Sequence, residues 1–424
     1  MSAQLPRVLS GVGQRPMHTL DAHHEVHGPL DLRALAPEQI VGAAQAAGLR
    51  GHGGAAFPTA VKMRTVANRR GSKFVLVNAT EGEPASKKDR ALLREVPHLV
   101  LDGAAAAARA VGAKQAILAV CEADARGRRA LSAALAQRRE RGLHRGEPDW
   151  TLVPTPDRYL IGQETALVNF VNGGPGLPTF DTRPFQRGVR GRPTLVQNAE
   201  TLAHLALIAR HGAEWFRALG TDRHPGSALV TVGGAVSAPG VYEIEHGMLL
   251  SELLHWVGAG QPAAMLVGGY FGTWMAADSI PGAHLSAEGL AAHGAALGAG
   301  VILALPQSAC PVAEMGRVME WYEDQSAGQC GVCVNGLGAI AHTTRQVAHG
   351  AATRSDLADL QRWSGELRGR GACQHPDGAA RLIASALSVF SDEFADHAHH
   401  GRCERCGHPP VLPMPAPRPL ALAA

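Results

Sequence analysis

Two cysteines three positions apart, Cys330 and Cys333, are the residues whose type and spacing most directly suggest chemistry. They lie in the segment SAGQCGVCVNG of a 424-residue chain that has seven cysteines. Such a pair can be half of an iron–sulfur site, half of a zinc site, a redox dithiol, or two buried thiols. A thioredoxin-type dithiol opens a helix after a strand in a βαβ unit, whereas this pair lies in a region with helical periodicity.

A second pair, Cys403 and Cys406, lies near the C-terminus in HAHHGRCERCGH. Together with two nearby histidines it has plausible zinc-ligand spacing. The candidate histidines are His397, His399, His400 and His408. An extended or flexible tail is the alternative, because the segment leads into the proline-rich end PPVLPMPAPRPLALAA. Cys121 follows an apolar run and is interpreted as a core residue.

The segment GLRGHGGAAFPTAVK brings three glycines close together, at Gly51, Gly53 and Gly54. Because no Cβ blocks the approach, the backbone N–H groups can curl around an anion or lie under a flat ring. The spacing matches neither the Walker pattern nor GxGxxG after a strand. A plain loop is therefore the alternative.

Polar residues follow the apolar run FVLVNAT, within VNATEGEPASKKDR. In open α/β sheets, ligands bind beyond the carboxyl ends of the strands, so these residues are well placed to contact a ligand. The alternative is a solvated charged loop. They are Asn78, Glu81, Glu83, Lys88 and Asp89. Two later segments add polar residues at predicted helix starts, where helix caps are the alternative. These residues are Tyr159, Gly162, Gln163, Glu164, Asn198 and Thr201.

The elements that must position these residues form three groups. From about residue 30 to 220, β-branched runs alternate with Ala-rich helical stretches, which predicts an α/β structure with a largely parallel sheet. Residues 227–305 indicate a small β-grasp-like module, and apolar residues at helical spacing after Val312 predict a helical bundle. We predict domains at 1–222, 223–308 and 309–396, and a Cys/His- and Pro-rich tail at 397–424.

Composition excludes several classes of protein. The net charge is +3 and no basic stripe is present, so nucleic acid is not an expected partner. No apolar run suits a bilayer span, and the N-terminus lacks a signal-peptide pattern. We expect a cytoplasmic protein with reduced thiols, in which closely spaced cysteines favour metal or redox roles over disulfides.

The order of the motifs resembles one known family. GLRGHGGAAFPTAVK, NATEGEP with KDR behind it, YLIGQETAL, GRPT and NAETL occur in the order found in the FMN- and NADH-binding flavoprotein subunit of respiratory complex I. The same family includes diaphorase subunits of NAD-linked hydrogenases and formate dehydrogenases. The resemblance runs from about Gly48 to Cys373. It implies a Rossmann-like FMN-binding domain, a ubiquitin-like β-grasp domain and a helical bundle that holds one [4Fe-4S] cluster.

Site residues follow from this resemblance. It places around FMN the residues Gly51, Gly53, Gly54, Lys62, Asn78, Glu164, Asn198 and Thr201, with Tyr159 and Gly162 as further cofactor-binding residues. Phe57 and Phe185 would offer aromatic faces toward the nicotinamide nucleotide, near Glu83. The candidate catalytic carboxylates are Glu83 and Glu164. The sequence departs from the family pattern at His52, Thr65, Thr80, Gln163 and Gln197.

The family's cluster motif is Cys-x-x-Cys-x-x-Cys with a fourth cysteine about forty residues later. This chain has Cys330, Cys333 and Cys373, but Ala327 stands at the first position. Either another residue supplies the fourth ligand, or the cluster is site-differentiated or has three irons. The candidates are Cys310, Cys403 and Cys406, and we favour the C-terminal pair because a tail can fold back onto a bundle.

The resemblance implies an enzyme that oxidises NADH with FMN and sends single electrons through a [4Fe-4S]-type cluster. Its expected partner is an iron–sulfur or ferredoxin-like protein within a hetero-oligomer. The alternative is a non-enzymatic electron-relay or scaffold subunit that keeps the fold and has lost NADH turnover. The departures at Thr65, Thr80, Gln163 and Ala327 motivate this alternative.

Overall fold

A parallel sheet forms the centre of the first domain. The computed structural model describes residues 4–180 and 183–415. In the described part of this domain, four parallel strands lie in the order β3–β2–β1–β4. They are β1 (Phe74–Ala79), β2 (Gln115–Cys121), β3 (Asp149–Thr155) and β4 (Thr194–Asn198). The strand order reverses between β1 and β4, and such a reversal opens a ligand crevice at the carboxyl ends of the strands.

Eight helices of the described residues flank this sheet. They are α1 (Leu20–His27), α2 (Pro37–Ala47), α3 (Thr59–Ala67), α4 (Lys88–Glu95), α5 (Pro97–Val111), α6 (Ala125–Glu140), α7 (Glu164–Val171) and α8 (Ala199–Arg217). Helix α5 is buried along nearly its whole length because its alanines let it pack closely against α8. This packing fixes the start of α8, which borders the crevice.

A mixed sheet forms the second domain. Its strands lie in the order β6–β5–β9–β7–β8, with β5 and β9 parallel and the other pairs antiparallel. The elements are β5 (Ser227–Gly234), β6 (Gly240–Glu245), α9 (Leu250–Trp256), β7 (Ala264–Val267), β8 (Thr273–Ala276), α10 (Ala287–Ala291) and β9 (Val301–Leu305). This arrangement confirms the predicted β-grasp module.

Helices form the third part of the chain, as predicted. They are α11 (Pro311–Asp324), α12 (Gly338–Ala348), α13 (Arg354–Glu366), α14 (His375–Val389) and α15 (Ser391–His400). A π-helical turn at Val332–Leu337 precedes α12 and includes Cys333. The bundle shares a core with the mixed sheet, since Trp274 Nε1 donates to Met315 Sδ at 3.3 Å.

The described part of the C-terminal segment packs against the bundle. Helix α15 runs through the predicted boundary at residue 396 and ends at His400, before Gly401 with φ 83°. The residues after it are not extended into solvent. Buried Glu314 of α11 accepts hydrogen bonds from the N–H groups of Val411, at 2.6 Å, and Leu412, at 3.3 Å. The proline-rich end from 416 onward lies outside the described residues.

No helix of the described ranges combines the length and the apolar character needed to cross a bilayer.

Candidate functional site

Two asparagines mark the crevice between β1 and β4. Asn78 and Asn198 are register partners at the ends of the two strands. Asn78 Nδ2 donates to the Gly162 carbonyl at 2.7 Å, which ties the YLIG turn to the end of β1. Asn198 caps α8 by accepting from Glu200 N at 3.0 Å, and its Nδ2 donates to Asp89 Oδ2 at 2.6 Å. Asn198 is therefore both a helix cap and a residue of the crevice.

The glycine loop closes over the start of α8. An isolated bridge joins Arg50 to Pro58, and Gly51 N donates to the Phe57 carbonyl at 2.9 Å. The loop is held down where His52 N donates to Thr201 Oγ1 at 2.9 Å. This contact links two segments that are 149 residues apart in sequence.

The exposed part of this loop has the form of a cradle. Gly53 and Gly54 are exposed, and a Cβ added to Gly53 would lie 3.4 Å from the Cβ of Asn198. Gly54 has φ +100°, which side chains rarely adopt. Bare backbone thus faces the crevice at a place that side chains would fill, and this fits a flat ring or a phosphate.

Lys62 and Glu164 form an ion pair beside the loop. Lys62 lies on α3, which follows the loop, and Glu164 is the first residue of α7. Their side chains are 23% and 42% exposed. Both of these predicted site residues therefore come together, with an ammonium group that a cofactor phosphate or ring can reach.

Glu83 is buried against the second domain. Its Oε2 accepts from Tyr270 N at 3.1 Å, and its Oε1 has no hydrogen-bond partner among the described residues. Burial raises the pKa of Glu83 to about 8, although the N–H groups of Tyr270 and Ala85 oppose this shift. The carboxyl group is therefore mainly protonated at neutral pH, and Oε1 can donate or accept a hydrogen bond.

The three predicted aromatic residues lie in different surroundings. Phe57 is 52% exposed in the glycine loop. Phe185 is partly buried, with the Arg69 guanidinium 5.2 Å from its ring centroid. Tyr159 contacts the helical bundle, where its ring centroid lies 4.9 Å from Trp321 and 5.7 Å from His375. Tyr159 thus joins the crevice segment to the bundle.

The departures from the family pattern have visible structural roles. His52 turns inward and stacks on His204 at 4.7 Å, and burial lowers its pKa to about 3, so the side chain is neutral. Gln163 caps α7 by accepting from Ala166 N at 2.8 Å. Thr80 Oγ1 donates to Asn78 Oδ1 at 2.9 Å, and Thr65 Oγ1 donates to the Val61 carbonyl at 2.8 Å.

Gln197 is the remaining departure. It is buried, and its Nε2 has no hydrogen-bond partner among the described residues. An orphaned donor at the end of β4 is consistent with a ligand that accepts from it.

Three cysteines converge at the bundle. The thiol of Cys330 receives hydrogen bonds from the N–H groups of Ala372 and Cys333, and these outweigh burial and lower its pKa. Burial raises the pKa of Cys373, and the neighbouring Cys330 and Cys333 raise it further. Donors aimed at clustered thiols suit an iron–sulfur centre. The fourth position, at Ala327, offers a methyl group, and the Ser326 hydroxyl lies against Cys333.

The tail cysteines lie elsewhere. Cys406 Sγ is 3.4 Å from Cys310 Sγ and 3.7 Å from Cys403 Sγ. His397 completes this group. The three candidates for the fourth cluster ligand, Cys310, Cys403 and Cys406, therefore lie together with His397.

Several residues that position the site have no recognisable signal in the sequence. Gln325 Oε1 accepts from Tyr159 N at 2.9 Å, and a Cβ on Gly82 would lie 2.9 Å from the Tyr159 carbonyl. Lys88 was a candidate site residue, but Glu200 was not. Lys88 Nζ lies 2.7 Å from Glu200 Oε2 in a buried ion pair. No sequence signal identifies these contacts, because the partners are far apart along the chain.

Comparisons with known proteins agree with this geometry. Residues 44–207 match the family described as Nuo51 FMN-binding domain. Residues 313–397 match the NADH-ubiquinone oxidoreductase-F iron-sulfur binding region. An NADH-quinone oxidoreductase F-type subunit of Rhizobium meliloti is 30% identical over 94% of this chain and 99% of its own length. The chain belongs to this family of NADH-quinone oxidoreductase subunits.

Other members and structures support this assignment. The corresponding NADH-quinone oxidoreductase protein of Streptomyces coelicolor is 31% identical over 89% of this chain and 88% of its own length. A chain of the NAD+-reducing [NiFe]-hydrogenase in the air-oxidized state superposes with a TM-score of 0.82 at 31% identity, covering 92% of this chain and 67% of that one. As a member of this family, the chain is an NADH dehydrogenase-type oxidoreductase with an FMN-binding domain and an iron–sulfur region.

Proposed function

We propose that the chain is the NADH-oxidising electron-transfer subunit of a multi-subunit assembly in the cytoplasm. FMN occupies the glycine crevice, a [4Fe-4S]-type cluster is held by Cys330, Cys333 and Cys373, and an iron–sulfur or ferredoxin-like protein is the electron partner. When bound, FMN accepts a hydride as an electron pair and releases electrons singly. The direction of electron flow depends on reduction potentials that the surroundings of both centres set.

The observation that carries this proposal is the connection between the crevice and the thiols of Cys330, Cys333 and Cys373, here called the thiol trio. Tyr159 lies three residues before Gly162, whose carbonyl accepts from Asn78 at the crevice. Its ring contacts that of His375, two residues after Cys373. Tyr159 therefore links the segment at the crevice to the segment that bears Cys373, which supports electron transfer between the two proposed sites.

The crevice residues have distinct roles in this proposal. Bare backbone at Gly53 and Gly54 leaves room for the ring, and Lys62 supplies a positive charge to its electron-rich part or to the phosphate. Asn198 and Thr201 fix the floor of the crevice through their bonds to Asp89 and to the loop. The protonated Glu83 carboxyl offers a neutral hydrogen bond, so it does not repel the nucleotide's phosphates as an ionised carboxylate would.

Anaerobic purification tests the proposal directly. We expect a yellow protein whose visible flavin absorbance is bleached by NADH, with iron and sulfide in the range of three to four per chain, as roughly required for a cluster of this type. An EPR signal should appear after NADH is added. A flavin-containing protein without affinity for millimolar NADH would instead support the relay alternative, and a protein without flavin would contradict both.

A glycine substitution tests the cradle. Gly53→Val should reduce flavin content at least tenfold, because branched carbons would enter the space against Asn198. Gly260→Val is the matched control, since Gly260 has open space around its Cβ position and no positive φ. Flavin absorbance per chain after gel filtration is the measurement. Equal flavin content in the two variants would place the cofactor elsewhere.

A further inference from the structure

A second group of metal-ligand side chains lies apart from the thiol trio. Cys310 Sγ, Cys403 Sγ, Cys406 Sγ and one ring nitrogen of His397 all lie within 4.8 Å of one another. Cys310 and His397 are buried, and the other two are partly buried. We propose that these four residues form a zinc site that is separate from the iron–sulfur cluster and closes the C-terminal segment onto the bundle.

The distances between the donors suit a single tetrahedral ion. Zn–S bonds of about 2.3 Å and Zn–N bonds of about 2.0 Å give tetrahedral edges of roughly 3.8 Å between sulfurs and 3.5 Å between sulfur and nitrogen. The structure has 3.4 and 3.7 Å for Cys406 to Cys310 and Cys403. His397 Nε2 lies 3.4 Å from Cys310 Sγ and 3.8 Å from Cys406 Sγ.

The same distances argue against an iron–sulfur cubane in this place. Each thiolate of a cubane binds a different iron, so its sulfurs must stand farther apart than the ligands of one ion. Three thiols and one imidazole are also a ligand set that structural zinc sites use. The site offers four protein ligands, which is the closed arrangement of a structural centre.

Surrounding contacts orient the ligands for a metal. His397 Nδ1 lies 3.2 Å from the Val347 carbonyl. Donation of the Nδ1 proton to that carbonyl leaves Nε2 with its lone pair toward the thiols, as for a metal-bound histidine. Cys310 caps α11, where its Sγ accepts from Ala313 N at 3.4 Å. Such N–H donors stabilise a thiolate.

The elements explain why these four residues meet. Cys310 is the N-cap residue of α11, and His397 lies in the last turns of α15. Cys403 precedes the short 3₁₀ turn Glu404–Gly407, and Cys406 lies within it. The other tail histidines have different partners: His408 Nδ1 is 2.8 Å from the Ser308 carbonyl, and His399 bonds to Arg354. Of the four histidines that the sequence offers, His397 is the one at the site.

A metal here would hold the tail in place. The segment after Cys406 packs Leu412 into the bundle core and donates to Glu314. A metal that joins Cys310 to the Cys403–Cys406 turn bridges 96 residues of chain. The proposed site therefore stabilises the fold of the third domain, and zinc itself has no redox chemistry with which to carry electrons.

Metal analysis of the full-length protein tests this. We expect about one zinc per chain besides the cluster iron, released by an organomercurial and detected with a chromogenic chelator. Cys403→Ala with Cys406→Ala should lower zinc at least tenfold and leave flavin and iron content unchanged. The complementary variant, Cys333→Ala, should lower iron and leave zinc unchanged.

Three results would overturn the proposal. Loss of iron from the double tail variant would assign these thiols to the cluster. A wild-type protein without zinc that also fails to take up Co²⁺, judged by the intense absorption bands of tetrahedral thiolate cobalt, would leave no metal site. A disulfide detected by mass spectrometry between any two of the three thiols in anaerobically purified protein would exclude the ligand set. The cobalt and mercurial measurements use the unmodified chain, so they decide even if the variants do not fold.

Discussion

At the scale of single residues, Ala327 has the clearest consequence. It stands at the first cysteine position of the cluster motif, and its N–H and the Ser326 hydroxyl both bond to the Cys333 thiol. The backbone of residue 327 therefore lies beside the thiol trio, but the alanine side chain has no atom that can bind iron. The substitution was visible in the sequence, whereas its distance from the remaining thiols was not.

We predict that Ala327→Cys supplies a fourth thiolate. Iron content should rise to about four per chain, if it is lower in the wild type, and the cluster's visible absorbance should decay several-fold more slowly in air, because each iron then has a protein ligand. Gln329→Cys is the control, since residue 329 is exposed and adds a thiol beside Cys330. Equal decay rates for wild type and Ala327→Cys would mean that the fourth iron already has a ligand.

The position of the His52 side chain could not be read from its residue type. The sequence departs from the family pattern at His52 in the glycine loop, but the residue type does not show where the side chain lies. The structure adds that the ring leaves the crevice altogether, stacking on His204 and facing Glu200 Oε1 at 3.8 Å. In the proposed function, cofactor binding at this loop therefore rests on the backbone and on Lys62, and not on His52.

At the scale of elements, the crossing of α5 and α8 positions the crevice. A Cβ added to Gly103 would lie 1.8 Å from the Leu202 carbonyl oxygen, so the two helices approach at backbone distance. Leu202 is one residue after Thr201, which holds the glycine loop. Any separation of these helices therefore moves the floor of the site.

We predict that Gly103→Ala lowers the free energy of unfolding by about 3 kcal/mol or more, since the backbone must shift to admit a methyl group. Flavin content should fall with it. Gly42→Ala is the matched control, because Gly42 is an exposed glycine of α2 with open space at its Cβ position. It should raise stability by about 0.5–1 kcal/mol. Urea denaturation of both variants is the measurement, and a small loss for Gly103→Ala would show that α5 and α8 can slide apart cheaply.

The sequence predicted the kind of secondary structure in each part of the chain but not the contacts between elements. Helix periodicity and strand runs depend on neighbouring residues, so the sequence contains them. The alanine run in α5 predicted a helix, and Gly103 within it gave no sign of the helix that it faces. For the tail, the sequence left open both an extended chain and a segment that folds back onto the bundle. The contact that holds the described part of the tail joins Val411 N to Glu314, which lies 97 residues earlier.

At the scale of the whole molecule, buried polar contacts join the α/β domain to the β-grasp domain. Glu200 Oε1 accepts from Leu229 N at 2.7 Å, and Lys87 N donates to Thr231 Oγ1 at 2.9 Å. Glu83 accepts from Tyr270 N, and Gly269 leaves no room for a side chain beside that carboxyl group. The crevice and the β-grasp domain are therefore coupled through ionisable groups.

We predict a pH dependence that Glu83 contributes. Its pKa is raised from 4.5 to about 8, so the folded state binds more protons than the unfolded state between these values. The contribution of Glu83 to the free energy of unfolding should therefore be greatest below about pH 4.5 and should decrease as the pH rises to about 8. In Glu83→Gln, the free energy of unfolding should decrease less steeply with pH. Part of the decrease should remain, because burial also raises the pKa of Glu81, to about 7.

Chemical denaturation at pH 5, 6.5 and 8 is the measurement for this prediction. Glu140→Gln, at an exposed position in α6, serves as the control and should keep the wild-type slope. An unchanged slope in Glu83→Gln would mean that water or a bound ligand keeps that carboxyl group ionised in the folded protein.

The sequence by itself determined the order of the motifs, and with it the family, the three-part fold and the residue types of a flavin and iron–sulfur protein. These properties follow from local spacing, which sets periodicity, turns and ligand patterns within a few residues. The tertiary structure decided which distant groups meet: Thr201 with the glycine loop, Glu83 with Tyr270, and Cys310 with His397 and the tail thiols. Such meetings depend on how whole helices and sheets pack, because a side chain's spacing along the chain does not fix its neighbours in space.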